Sequence, residues 1–196
     1  MKTENHPLKI SQSLIILVTF LGSLTAFAQT YSLNNDSSKL SVLGTSSIHD
    51  WEVTAEQQSG SIVLENANET LSISALDIKV IAESLKSGKS GMDKNTYKAL
   101  NTKKFNSIDF KLTKVNSITP NGSGVYKVKS TGDLSIAGTT NPIQLDFTLT
   151  LTDNSAKLTG SYTFKMTQFK IDPPTAMFGT ITTGDELKIE FNTVLQ

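Results

Sequence analysis

The chain of 196 residues contains no cysteine and no arginine, a single tryptophan and two histidines. Without cysteine no disulfide can form, even in an oxidising compartment, so packing alone must hold the fold. An N-terminal lipid-modified cysteine is excluded for the same reason. Arginine is the usual bidentate reader of phosphate and of base edges. Its absence, with no lysine cluster on an aromatic platform, argues against nucleic acid as a partner. Eighteen lysines face eighteen acidic residues, so no excess charge steers the chain toward an anionic membrane surface.

Long apolar runs are also scarce, and the clearest one is N-terminal. Lys2 and Lys9 precede Leu14-Ile15-Ile16-Leu17-Val18-Thr19-Phe20-Leu21, and Ala26-Phe27-Ala28 closes the segment before Gln29. A basic start, an apolar middle and a small-x-small site in that order read as a secretory leader cleaved after Ala28. The apolar part is short of the roughly 20 residues a membrane span needs. Residues 29–196 are therefore expected to form one exported domain with no transmembrane segment, periplasmic where the organism has two membranes.

What the chain has in abundance is serine and threonine, interleaved at period two with valine, isoleucine, leucine and phenylalanine. That alternation marks half-buried strands. It runs through Leu40-Ser41-Val42, Trp51-Glu52-Val53-Thr54-Ala55, Leu71 to Ala75 and Ile78-Lys79-Val80. It continues through Phe110 to Val115, Tyr126-Lys127-Val128, Leu145 to Leu151, Leu158 to Met166, Phe169-Lys170-Ile171 and Leu187 to Asn192. Asn121-Gly122 and Asp153-Asn154-Ser155 are turns between neighbouring runs. Ile136 to Asn141 breaks another pair, with Pro142 expected at a strand start, where its missing N–H does least harm. Eight or nine such strands bury one face each only in an antiparallel barrel or a sandwich. Ser90-Gly91-Met92-Asp93 resembles a capping box with Ser90 at the N-cap. Met92, Thr96, Ala99 and Leu100 follow at helical spacing, so a short helix is expected across one barrel end, with Phe105 and Phe110 anchoring the return into a strand.

Catalytic signatures are missing. His49 is the one histidine beyond the leader, and a zinc site would need two or three acidic ligands around it. Asp50 follows His49 directly, but adjacent strand residues point to opposite faces. His49 then reads either as a hydrogen-bonded strand or loop residue or as a polar ligand contact at the barrel mouth. Asp50, Glu52, Asp77 and Glu83 have no spacing that pairs them for sugar hydrolysis. Apolar side chains are the informative class: Trp51, Phe110, Phe147, Tyr162, Phe164, Met166, Phe169 and Phe191 can all point inward. They make either a packed core or an elongated apolar cavity, since an eight-stranded barrel accommodates both.

Four stretches are similar to the YceI-like family of exported bacterial proteins. These are Thr45-Ser46-Ser47-Ile48-His49-Asp50-Trp51, Met92 through Phe105, Gly132-Asp133-Leu134-Ser135-Ile136-Ala137-Gly138-Thr139-Thr140-Asn141-Pro142-Ile143, and Phe169 through Gly179 with Pro173-Pro174. The resemblance spans about residue 31 to the C-terminus. It implies an all-β, lipocalin-like antiparallel β-barrel of about eight strands with one short helix. It also implies non-catalytic binding of a hydrophobic lipid: a long isoprenoid, an isoprenoid quinone or a fatty-acid-like molecule. No metal or other cofactor follows from it. Gly91-Met92-Asp93-Lys94-Asn95 replaces the family's Arg-Asp-x-His-Leu form, Asn106 a usual proline, and Ala137 a frequent basic residue. Expected ligand-contacting residues are His49, Trp51, Met92, Leu100, Phe110, Phe147, Phe164, Met166, Phe169 and Phe178, with Phe178 as a cover over the barrel opening. A homodimer is compatible with the sequence. The competing readings are a ligand-free barrel that serves a protein partner or stress response, and a hydrolase built on His49 and a nearby acid.

Overall fold

The computed structural model describes residues 27–67 and 70–196. Most of the expected leader therefore lies outside the described residues. The chain forms β1 (Phe27–Ser32), β2 (Lys39–Ser46), β3 (Trp51–Ala55), β4 (Gln58–Ala67), β5 (Thr70–Ile81), β6 (Leu85–Lys86), then helix α1 (Ser90–Leu100). It continues as β7 (Ser107–Pro120), β8 (Val125–Ile136), β9 (Thr139–Thr152), β10 (Ser155–Lys165), β11 (Thr175–Ala176) and β12 (Ile181–Leu195). One antiparallel sheet runs β1-β4-β5-β7-β8-β9-β10-β12-β2-β3-β6, with β11 paired to β12. The sheet curls until β1 meets β12. Ser32 and Gln196 exchange backbone hydrogen bonds at 2.9 and 2.8 Å, and Leu33 bridges Leu195.

The architecture is antiparallel and closed on itself, one of the two forms that the alternation allows, and lipocalin-like as the resemblance implies. The strand count is higher than about eight because short segments (β1, β3, β6, β11) supplement eight long ones. Side chains obey the period of two: in β8, Val128, Ser130, Gly132, Leu134 and Ile136 are buried while Lys127 and Lys129 are exposed. A bulge in β5 explains why its apolar positions read as two runs. Val63 faces Ala75 and Leu64 faces Ile73, so Ser74 is left over. The inward set then switches from Leu71 and Ile73 to Leu76, Ile78 and Val80.

Several local expectations need correction. Pro142 lies inside β9, opposite Asp133, rather than at its start. β10 pairs with β9 only from Phe147 onward, so Pro142 sits where β9 has no second neighbour and no ladder bond is lost. Phe169-Lys170-Ile171 is no strand: Met166–Phe169 is a 3₁₀ turn closed by Lys170 at φ 58°. Ser90 does not cap α1. The N-cap is Lys89, and Ser87 instead donates its backbone N–H (2.8 Å) and hydroxyl (2.6 Å) to Asp93 Oδ1. The expected Ala137-Gly138 hairpin is present, with both residues at positive φ (48° and 79°), the signature of a twist-matched two-residue turn.

α1 lies across one end of the curled sheet, as expected. Its docking is partly polar. The Tyr97 hydroxyl is shared between the carbonyls of Glu83 (2.8 Å) and Leu85 (3.1 Å) and accepts from Lys86 Nζ at 2.6 Å. Thr102 donates to Glu83 Oε1 at 2.8 Å. Asn101 ends the helix in the left-handed region at φ 50°, a position that asparagine tolerates. Beyond it Phe105 packs against Gly138.

Candidate functional site

The inside of the curled sheet is filled at one end and hollow at the other. At the filled end Ile62, Leu149 and Leu195 have no exposure at all and Val128 has almost none. None of them touches the cavity that opens beyond them. This cavity measures about 410 Å³, within the range typical of small-molecule sites. Phe147, Leu158 and Thr193, inward on β9, β10 and β12, lie at its inner end, and α1 lines the other. Along the wall between them, Val42, Ile78, Ile108, Leu145 and Ile189 face inward yet remain half-buried. Their exposed surface belongs to the cavity, the mark of an apolar interior that side chains do not fill.

Eight of the ten expected contact residues line this cavity: His49, Trp51, Met92, Leu100, Phe110, Phe147, Phe164 and Met166. Two do not. Phe169 is 1 % exposed and belongs to the packed core, meeting the Phe164 ring edge-on at 5.3 Å. Phe178 points wholly into solvent (109 %) and Met177 beside it is 68 % exposed, so Phe178 does not cover the opening. Its backbone explains the direction: Met177 and Phe178 are both left-handed (φ 51° and 57°), and this turn projects the ring outward. Wall residues outside the expected set include Leu40, Val53, Ile78, Ile108, Leu145 and Ile189. The signal for them is present in the period-two pattern, but ordinary Val, Leu and Ile positions look alike whether they face a cavity or a core.

The wall is built from aromatic rings laid over glycines. Trp51 faces Gly44 across β2 and β3, and Phe191 faces Gly160 across β12 and β10. Phe110 lies against Gly132. A methyl group at Gly160 would come within 2.6 Å of Phe191 Cζ and 3.0 Å of the Asp146 carbonyl. Trp51 also donates its Nε1–H to the Thr45 carbonyl at 2.9 Å. Tyr162 stacks on Phe164 at 5.8 Å, and burial pushes its phenol pKa up, so the hydroxyl stays neutral in the wall.

Polar groups gather at the opening. His49 is exposed on the loop between β2 and β3, where Ser46 Oγ donates to the His49 carbonyl at 2.7 Å. His49 Nδ1 lies 2.7 Å from the Asp50 carbonyl. A carbonyl only accepts, so Nδ1 carries a proton. The imidazole is thus oriented by a backbone oxygen, not by a carboxylate. Among the described residues none that lines the cavity is acidic, and Lys89 is the one lysine. The four acids considered for hydrolysis do not meet there: Glu52 pairs with Lys39 at 3.4 Å and Glu83 accepts from Thr102.

Residues 31–195 match the model of the YceI-like domain. No curated protein matches the chain. Among solved structures, BcnA of Burkholderia cenocepacia is 17% identical with a TM-score of 0.64, covering 84% of this chain and 99% of that one. A polyisoprenoid binding domain from Saccharophagus degradans, implicated in plant cell wall breakdown, is 11% identical with a TM-score of 0.64, covering 85% and 97%. The YceI protein of Campylobacter jejuni is 19% identical with a TM-score of 0.53, covering 72% and 82%.

Proposed function

This chain belongs to the YceI-like domain family, and from that premise we propose that it binds a long-chain isoprenoid or similar amphiphilic lipid without chemical change, as an exported, periplasmic protein. The observation that carries the reading is the hollow half of the sheet, with its half-buried aliphatic wall. The lining side chains of β10 run from Leu158 to Phe164, about 20 Å of strand at ~3.3 Å per residue. With the usual strand tilt of about 35–45° this is about 15 Å of depth, comparable to one leaflet of the ~30 Å hydrocarbon core of a bilayer. Each buried methylene contributes about 0.8 kcal/mol, so a chain of that length is held without any catalytic group. The polyisoprenoid binding of the Saccharophagus relative is consistent with this chemistry. Export rests on the N-terminal segment alone, and fractionation of expressing cells tests it.

Titration of the purified mature chain with all-trans-retinol, a fluorescent isoprenoid alcohol, tests the binding. Saturable one-to-one uptake with quenching of Trp51 is expected. Failure of retinol and of a polyunsaturated fatty acid to bind saturably contradicts the proposal.

A further inference from the structure

We propose that Lys89 at the cavity opening selects cargo with an anionic head group, a carboxylate or a phosphate; this rests on the lipid-binding reading above. The charged side chains among the residues that line the cavity are of one sign. The described residues that line the cavity include no Asp or Glu, and Lys89 is their single lysine. The remaining polar groups that line the exposed end are hydroxyls, the Asn95 amide and the His49 imidazole. An apolar chain lying with its tail against Phe147 and Leu158 leaves its head among these groups.

The position of Lys89 is built, not incidental. Ser87 Oγ accepts from the Lys89 N–H at 3.1 Å and lies 3.2 Å from the Lys89 carbonyl. Asp93 holds Ser87 from the first turn of α1 and donates its own N–H to the Lys89 carbonyl at 3.0 Å. These hydrogen bonds converge on the loop that carries Lys89. The carboxylate nearest in the helix, Asp93, is occupied by Ser87. Among the described residues Lys89 takes part in none of the ion pairs, which join Lys39 to Glu52, Lys79 to Asp109 and Lys188 to Glu190. Met92, Thr96 and Ala99 fall on one stripe of α1, and Lys89, the extended residue that leads into the helix, lines the cavity with them.

Lysine offers three donors and no acceptor. Asn95, exposed on α1 and also lining the cavity, adds amide donors. This excess of donors, without a carboxylate among the lining groups, matches a head that only accepts hydrogen bonds and carries negative charge. A hydroxyl head would be tolerated, and a quaternary ammonium head would meet Lys89 as a like charge.

The test compares hexadecanoate, hexadecyl phosphate, hexadecanol and hexadecyltrimethylammonium, each below its aggregation threshold, for displacement of retinol from the mature chain. The expected order is phosphate and carboxylate first, alcohol next, ammonium last. Because the opening is solvent-exposed, the carboxylate-over-alcohol preference should be about fivefold at low salt, the equivalent of ~1 kcal/mol for an exposed ion pair. It should shrink in about 0.5 M NaCl, where screening is strong. Lys89→Met should bring the ratio to near one, and Lys89→Glu should invert it. Equal affinity for the four probes, or an unchanged ratio in both variants, overturns the head-group assignment while leaving lipid binding intact. Failure of retinol and all four probes to bind overturns both.

Discussion

The indole of Trp51 lies over Gly44 on the adjacent strand, so closely that a β-carbon on Gly44 would overlap the ring. Glycine is what lets the ring sit low against the sheet, and the Thr45 carbonyl holds its Nε1–H at 2.9 Å. The pairs Phe110 with Gly132 and Phe191 with Gly160 repeat the arrangement. An aromatic wall is thereby made without filling the lumen.

Gly44→Ala should push the indole off its seat and cost about 1–3 kcal/mol, as overpacking generally does. Trp51 is the only tryptophan, so its emission reports the change directly. A shifted emission maximum together with a lower Tm is expected; a wild-type spectrum would mean that the ring does not rest on Gly44.

Leu145→Phe separates a hollow interior from a filled one. Leu145 faces inward on β9 but is only half-buried, and it lines the cavity. In a tightly packed core the added bulk would cost about 1–3 kcal/mol. Here stability should stay within about 0.5 kcal/mol of wild type, the range of substitutions that disturb no packing. Retinol affinity should fall, because the added ring occupies ligand space. Urea denaturation and retinol titration on the same samples provide both readouts.

Phe169 and Phe178 should behave as opposites. Phe169 is buried and meets Phe164 edge-on, so Phe169→Ala should cost about 3–5 kcal/mol. Phe178 is fully exposed. Phe178→Ala should change stability by less than about 0.5 kcal/mol and leave the retinol off-rate unaltered. A faster off-rate in Phe178→Ala would restore a covering role to that ring.

These two phenylalanines also mark the limit of what is legible in the sequence. Alternation exposes most strands because each has one buried face, and turn residues such as Asn121-Gly122 locate the breaks. β4 is not legible: it is absent from the alternating runs, since Ile62-Val63-Leu64 is a continuous apolar stretch that does not alternate. β4 is a strand because it pairs along its whole length with β5, a long-range cause. Phe169 repeats the strand pattern, yet the chain turns at Met166–Phe169, where Asp185 accepts the Thr167 N–H (3.0 Å) and hydroxyl (2.7 Å). The cavity residues are legible as inward-facing. Whether they meet a core or a void depends on which end of the barrel they occupy, and period two does not encode that.

Asp93 should make stability depend on pH in the acidic range. The hydroxyl and the backbone N–H of Ser87 hold its carboxyl below the ordinary aspartate value, which is about 3.9. A depressed folded-state pKa contributes stability that is fully present above the unfolded value and is lost as pH falls through the folded one. Asp93→Asn should therefore lower Tm at pH 7, and the gap from wild type should close as pH drops below about 4. A gap that stays constant from about pH 7 to about pH 3 would show that the charge of Asp93 contributes nothing.

The most direct test of the lipid-binding account is native mass spectrometry of the mature chain, purified from its own cells without detergent, followed by organic extraction and identification of what is released. The account predicts a mass increment of one long-chain isoprenoid or acyl lipid per chain, diminished in Leu145→Phe. A chain of bare polypeptide mass that also takes up no retinol or hexadecanoate would contradict it.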